Sequence, residues 1–313
     1  MQFNDQKPIK NLLQNISKSQ TQTPKKIPSK KTHKIIRNND FFFKNEVSNL
    51  QKIKQIPEFY TRYYIFQHFS PLKIGEFKKE QHHLENYENI SNQLNTPESY
   101  ALVTYPFSHI NFCPDFDTFF SPLIKNLNEN PKIFFHYFFS SYIHLAESIL
   151  LLNEKGVYPF LIKEETIFFN REKIPILSLP LTFSLSSTIS IDEFLILMNH
   201  LLVQDLDFLS IEFHTLFLLE RENLDSDSTT KKNREKMANE CISVLPTLNH
   251  YQLSLLYLKQ LDKIREKKQF NKFQKLITNL YECFQNVVNT KSDQRENLQE
   301  TKEKIENLFL GFS

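Results

Sequence analysis

Residues 156–169 read GVYPFLIKEETIFF, and the downstream run 174–183 reads IPILSLPLTF. The stretch before them, 133–155, follows Pro131 and carries apolar residues at helical spacing, so it predicts a long helix. Gly156 marks its end, because glycine is the residue that most readily takes the left-handed conformation closing a helix. Two short strands follow, 166–169 and 175–179, joined by the Asn-Arg-Glu-Lys turn at 170–173. A helix, a short loop and a strand hairpin in this order form the centre from which the rest of the chain is placed.

Upstream, THKIIR at 32–37 alternates apolar and polar residues as a strand does. Residues 41–56 predict an amphipathic helix through Phe42, Val47, Leu50 and Ile53, stopped by Pro57. YYIFQHF at 63–69 and YALVT at 100–104 are strand-like, with a polar connection at 78–98 between them. Downstream the periodicity is helical: 116–128 with Asp115 as its cap, then 191–204, 251–265, 270–288 and 298–309. Residues 222–238, ENLDSDSTTKKNREKMA, are charged and poor in apolar residues, and read as a loop insertion. A strand-containing region at 32–107 followed by a helical region at 108–313 is an α+β arrangement in two lobes, preceded by a basic tail at 1–31.

Composition excludes several functions. Thirty phenylalanines and a 40% hydrophobic content supply a core in which Phe is a packing residue rather than part of a cofactor site. There are three glycines, the first at position 75, so no Gly-rich phosphate-binding loop stands near the N-terminus. The net charge of +2 is unevenly placed: residues 1–37 hold nine Lys or Arg against the single acid Asp5. This predicts a solvated, disordered leader, with nucleic acid or an anionic surface as the alternative partner it suits. Cys113, Cys241 and Cys283 lack metal-ligand spacing, and the histidines, including the His82–His83 pair, lack ligand partners at useful spacing. The apolar runs 149–152 and 194–203 are too short or interrupted to span a bilayer, and no signal-peptide pattern opens the chain, so a soluble intracellular protein is expected.

The order of these elements resembles the bilobal protein kinase fold, with a small strand-containing N-lobe and a larger helical C-lobe. It is most similar to the divergent kinase-like proteins of large DNA viruses. Residues 159–166, PFLIKEET, resemble the family's His-x-Asp-x-Lys-x-x-Asn loop, and Leu179-Pro180-Leu181 stands where the family has Asp-Phe-Gly. Lys34 in HKII resembles the N-lobe strand lysine, Glu46 in NEVSNLQKI the glutamate of the N-lobe helix, and YALVTYPF, with Thr104, Tyr105 and Phe107, the adenine-holding strand and hinge. Leu209-Ser210-Ile211-Glu212 resembles the Ala-Pro-Glu ending of the activation segment, and Asn249-His250-Tyr251-Gln252-Leu253-Ser254 the start of the central C-lobe helix. Arg295 lies where the family places the arginine that pairs with that glutamate, so a Glu212–Arg295 ion pair is expected. Ser184, Ser186 and Ser187 lie in the implied activation segment as candidate phosphate acceptors.

The departures fall on the chemistry. Phosphoryl transfer relies on positioning and charge neutralisation. Pro159 and Leu161 replace the family's His and Asp, Thr166 replaces the metal-holding Asn, and Leu179 replaces the Asp-Phe-Gly aspartate; only Lys163 keeps its identity. Losing a general base costs about 10²- to 10⁴-fold, and losing metal stabilisation several kcal/mol more. The resemblance therefore implies a catalytically inactive, scaffolding or regulatory module with a protein partner and no expected cofactor, intracellular and, if viral, located in the host cytoplasm or a virion. The alternatives are a divergent Ser/Thr kinase using ATP and magnesium, with Glu164 or Glu165 as relocated acids, and a structural or nucleic-acid-associated protein acting through the tail.

Overall fold

The computed structural model describes residues 32–37, 41–65, 68–71, 100–105, 114–125, 131–182, 184–200, 203–222, 228–265 and 267–312. The tail at 1–31 and the connection at 78–98 lie outside the described residues, as do Phe107 and Cys113. The described chain is mixed α and β and mostly helical.

Strand β1 (Thr32–Arg37) leads to helix α1 (Phe41–Ile53), a helical turn at Phe59–Arg62, and strands β2 (Tyr63–Tyr64), β3 (His68–Pro71) and β4 (Tyr100–Tyr105). These strands build a three-stranded antiparallel sheet of order β1-β4-β3, with Lys34 opposite Val103 and Thr104 opposite both His33 and His68. The strand expected at 63–69 is corrected to two pieces in different sheets, β2 and β3. Docking decides the break. Tyr63 donates its hydroxyl to the Ser148 carbonyl (2.6 Å) and Arg62 pairs with Glu147 (2.9 Å), which pins this point of the chain to the long helix described next.

Helix α2 (Phe116–Lys125) starts where Asp115 accepts a hydrogen bond from the Thr118 N–H, a side-chain cap. Helix α3 (Pro131–Glu154) is buried on nearly every side and ends at Gly156, whose φ is 63°. A Cβ at Gly156 would lie 2.6 Å from the Ser187 hydroxyl, so both the backbone angle and the contact require glycine. Strand β5 (Val157–Tyr158) then pairs with β8 (Leu185–Ser186), while β6 (Ile167–Phe169) and β7 (Pro175–Ser178) form a hairpin on whose far edge β2 runs parallel to β7.

Helices α4 (Ile191–His200), α5 (Ile211–Glu222), α6 (Ser228–Ser243), α7 (Leu245–Arg265), α8 (Gln274–Asn289) and α9 (Leu298–Phe312) complete the described fold. The polar loop expected at 222–238 is corrected: most of it is α6. Its Lys, Arg, Glu, Met and Ala residues favour helix, and its buried anchors are small, Ala238 and Cys241, so they carried little apolar signal. Helix α5 is a further element the periodicity did not separate.

Two apolar clusters divide the helical part. The larger centres on Tyr257 of α7, whose ring meets those of Phe138 and Tyr142 (both 5.0 Å) and Phe116 (5.2 Å), and whose hydroxyl donates to Ser141 Oγ (2.7 Å). The smaller joins Phe160 to Phe194, Met198, Phe213, Leu216 and Leu248. Phe138→Ala is expected to lower unfolding free energy by about 3–5 kcal/mol and Tyr257→Phe by only about 1 kcal/mol, measured by urea denaturation. Equal losses for the two would show that the Tyr257 hydroxyl, not ring packing, dominates this centre.

Candidate functional site

The loop 159–163 between β5 and the hairpin is the candidate site. Its apolar side chains are withheld from solvent: Pro159, Phe160 and Ile162 are buried, and Leu161 is 1% exposed, while Lys163 is partly exposed. Phe160 points into the smaller cluster, whereas Leu161 and Ile162 belong to the larger, so the loop is the seam between them.

A loop buried this deeply must pair its own backbone groups. The Phe160 and Leu161 N–H groups both donate to the Thr182 carbonyl at 2.9 Å, within the helical turn Leu179–Thr182. From α7, the amide of Gln252 donates to the Phe160 carbonyl (2.8 Å) and accepts from the Ile162 N–H (3.2 Å), copying a backbone strand neighbour. One turn earlier Asn249 donates to the Pro159 carbonyl. Asn249 and Gln252, three apart on one helix face, thus hold the loop from a single side. Thr166 closes it: its hydroxyl donates to the Lys163 carbonyl (2.8 Å) and accepts from the Lys163 N–H (3.0 Å) around a short 3₁₀ turn, Glu164–Thr166.

The charged groups are likewise paired. Lys163 Nζ lies 2.9 Å from Asp205, with side-chain exposures of 22% and 6%. Glu164 is 3.5 Å from Lys259, whose ammonium also sits 3.9 Å above the Phe208 ring, and Glu165 is exposed. Leu179 is 2% exposed and Ser178 is buried.

Helix α1 reaches this region through Asn45 and Asn49, which both donate to the Ser184 carbonyl, and Lys52, which donates to Ser186 Oγ at 3.1 Å. Glu46 is half-buried there; burial, and then the Glu46 charge, push the Tyr64 hydroxyl up to about 12. Of the three serines singled out in the sequence, Ser184 and Ser186 are buried and Ser187 is exposed. Lys34, Thr104 and Tyr105 occupy the β1-β4-β3 sheet at the register given above.

The Glu212–Arg295 ion pair is not formed as a direct contact. Glu212 accepts instead from the Ser292 hydroxyl (2.7 Å) and N–H (3.2 Å), while Arg295 donates to the Val287 and Thr290 carbonyls and covers the Tyr251 ring. Burial opposes ionisation of Glu212, but hydrogen bonds from neighbouring serine hydroxyls and backbone N–H groups outweigh it and hold the carboxyl at about 2. The two segments still meet, with serine in place of arginine as the partner.

Sequence reasoning missed Gln252, Asp205 and Lys259 as site residues. The signal for Gln252 was available: an amide three positions from Asn249, on the same face of the expected helix. Among the described residues no three His, Cys, Asp or Glu side chains group around a point that could hold a metal ion. No protein-family profile matches the chain, and no curated protein matches its sequence.

Two outcomes test this geometry. Gln252→Ala leaves Phe160 O and Ile162 N buried without partners and is expected to cost about 2–4 kcal/mol in urea unfolding, against less than about 1 kcal/mol for Lys259→Ala. Burial holds the imidazole of His250, beside this clamp, down at about 4, against the opposing pull of its bond to the Glu296 carbonyl and the Glu296 charge. The unfolded chain therefore binds a proton that the native state refuses between pH 6.5 and 4. Its stability is complete above 6.5 and falls as pH drops through that window. His250→Asn, which keeps a donor for Glu296, should remove about 2 kcal/mol of the loss seen between pH 7.5 and 5.0; an unchanged difference would exclude His250 as its source.

Proposed function

We propose that this chain is a catalytically inactive, protein-kinase-like protein that works as a binding or scaffolding module. One observation carries the reading. The stretches that resemble the family's catalytic loop and the start of its central helix, ninety residues apart, are hydrogen-bonded to each other through Asn249 and Gln252, while position 161 holds a buried leucine instead of a base.

Other features support it. The β1-β4-β3 sheet sets the strand of Lys34 beside that of Thr104, and α1, which carries Glu46, packs on β8. A long helix, a two-residue strand, the loop and a hairpin follow each other as in the family. The small sheet and the larger helical part are the N-lobe and C-lobe of this reading. Leu161 neither accepts a proton nor orients a hydroxyl, and Leu179 does not ligate magnesium, so positioning and charge neutralisation both lack their groups. The chain's function then rests on its surfaces and on a protein partner, with no cofactor required.

A second reading, a divergent ATP-dependent Ser/Thr kinase, is favoured by Asp205, a carboxylate that the Lys163 contact brings to the loop. Incubation with radiolabelled ATP and magnesium, together with thermal shift at millimolar nucleotide, separates the two. No phosphoryl transfer and no shift are expected. Nucleotide-dependent transfer that disappears in Asp205→Asn or Lys163→Ala overturns the proposal in favour of the enzyme.

A further inference from the structure

Between α7 and α8 the chain passes through a short 3₁₀ turn, Lys268–Phe273, that aromatic contacts fix from beneath. The Phe270 ring lies 6.0 Å from Phe134 and 5.9 Å from Phe135, and the Phe273 ring lies 5.2 Å from Phe135, all at the start of α3. Lys267 donates to the Ile124 carbonyl at 3.5 Å, next to the end of α2. The end of α2, the start of α3 and the 268–273 turn therefore meet.

Five exposed lysines stand on these elements: Lys125 on α2, Lys132 on α3, Lys268 and Lys272 on the turn, and Lys275 at the start of α8. Among the described residues none of the five takes part in an ion pair. The acids of the elements packed there are engaged or distant. Asp117 of α2 holds Lys263 at 2.9 Å and Gln260 at 2.7 Å, and Asp262 of α7 lies beside Arg265 and Tyr281. Helix α9 comes in through Phe312, 5.9 Å from Phe273, and its last acid, Glu306, pairs with Lys302 at 2.9 Å. Glu282 is seven residues beyond Lys275, about 10 Å along α8. In sequence, residues 116–132 and 262–275 carry eight Lys or Arg against four acids, Asp117, Glu129, Asp262 and Glu266. This surplus of four exceeds the net charge of +2 of the whole chain.

The surroundings of the lysines select the partner. The other exposed residues of 268–278 are Asn271, Gln274 and Thr278, all hydrogen-bonding groups. The apolar side chains exposed nearby, Ile133 at 45% and Leu310 at 48%, are half-covered. Together they offer less apolar surface than a myristoyl chain, which by itself holds a protein to a membrane only marginally. Duplex nucleic acid carries one phosphate charge per about 1.7 Å of its axis and needs only cations and hydrogen-bond donors held on a rigid support. We propose that the surface formed by Lys125, Lys132, Lys268, Lys272 and Lys275 binds the phosphate backbone of duplex nucleic acid, without reading its bases. This surface is separate from the basic segment 1–31, and the assignment stands independently of the kinase-like reading.

The test measures fluorescence anisotropy of a labelled, mixed-sequence DNA duplex with the full chain across a salt series. Replacing Lys268, Lys272 and Lys275 together by alanine is expected to weaken binding at least tenfold at low salt. The dependence of log affinity on log salt should flatten by about 2–3, from about 0.9 per lost phosphate contact. Arginine at the same three positions should retain both affinity and slope, and a second duplex of different sequence should bind equally. All three positions are exposed, so thermal unfolding should be unchanged. No binding at low salt, or affinity and slope indifferent to the alanine variant, overturns the proposal; the second result assigns DNA binding to 1–31. Tighter lysine-dependent binding to phosphatidylserine vesicles or to an acidic peptide than to DNA also overturns it.

Discussion

The fold depends on one constraint: a five-residue loop runs through the interior, and its peptide groups must be paired without water. Gln252 and Asn249 meet that demand from α7, and the Thr182 carbonyl meets it from the other side. A buried amide or carbonyl left unpaired costs about 1–3 kcal/mol, comparable to the contribution of a whole buried side chain. The side-chain amide is the suitable tool, since it alone offers a donor and an acceptor in the spacing of a peptide group.

With the loop fixed, the two apolar clusters become one structure. Phe160 and Leu161 are adjacent and enter different clusters, so the clusters cannot shift relative to each other without breaking the Gln252 pair. Helix α7 contributes to both, with Tyr257 in one and Leu248 in the other, and the clamp residues lie between them along the helix. The Lys163–Asp205 and Glu164–Lys259 pairs stand at the edge of the same seam and hold the 203–208 turn against it. Glu164 and Lys259 are partly exposed, and their pair sets the register of that turn more than it adds stability, whereas Asp205 is buried.

Local signals in the sequence were sufficient where the physics is local. Asp115 caps α2 and Gly156 closes α3 because a cap or a left-handed residue acts within one turn. The α+β character and the hairpin at 167–178 follow from period and turn chemistry in the same way. Elements whose stability comes from contacts far along the chain were harder to read. Helix α6 buries only small residues, β2 is two residues long and held by Ser148 some 85 positions away, and Gln252 acts across ninety residues. At the candidate site, sequence identified the positions that lack ionisable chemistry. That they are packed as core, and that Ser292 takes the place beside Glu212 expected for Arg295, required coordinates.

The burial of Leu161 and Leu179 bears on why acids elsewhere do not simply replace them. An ionised carboxylate at 161 would have to be held within the larger apolar cluster, beside backbone groups already engaged by Gln252 and Thr182, and would pay several kcal/mol for its lost solvation. Leucine there instead adds about 1.5–3 kcal/mol of favourable burial. The loop's interactions hold two clusters together, and the acids beside it, Glu164 and Asp205, are engaged with lysines at the edge of the seam. Among the described residues, the large apolar side chains left most exposed, Tyr60, Ile211 and Leu218, lie away from this loop's own positions.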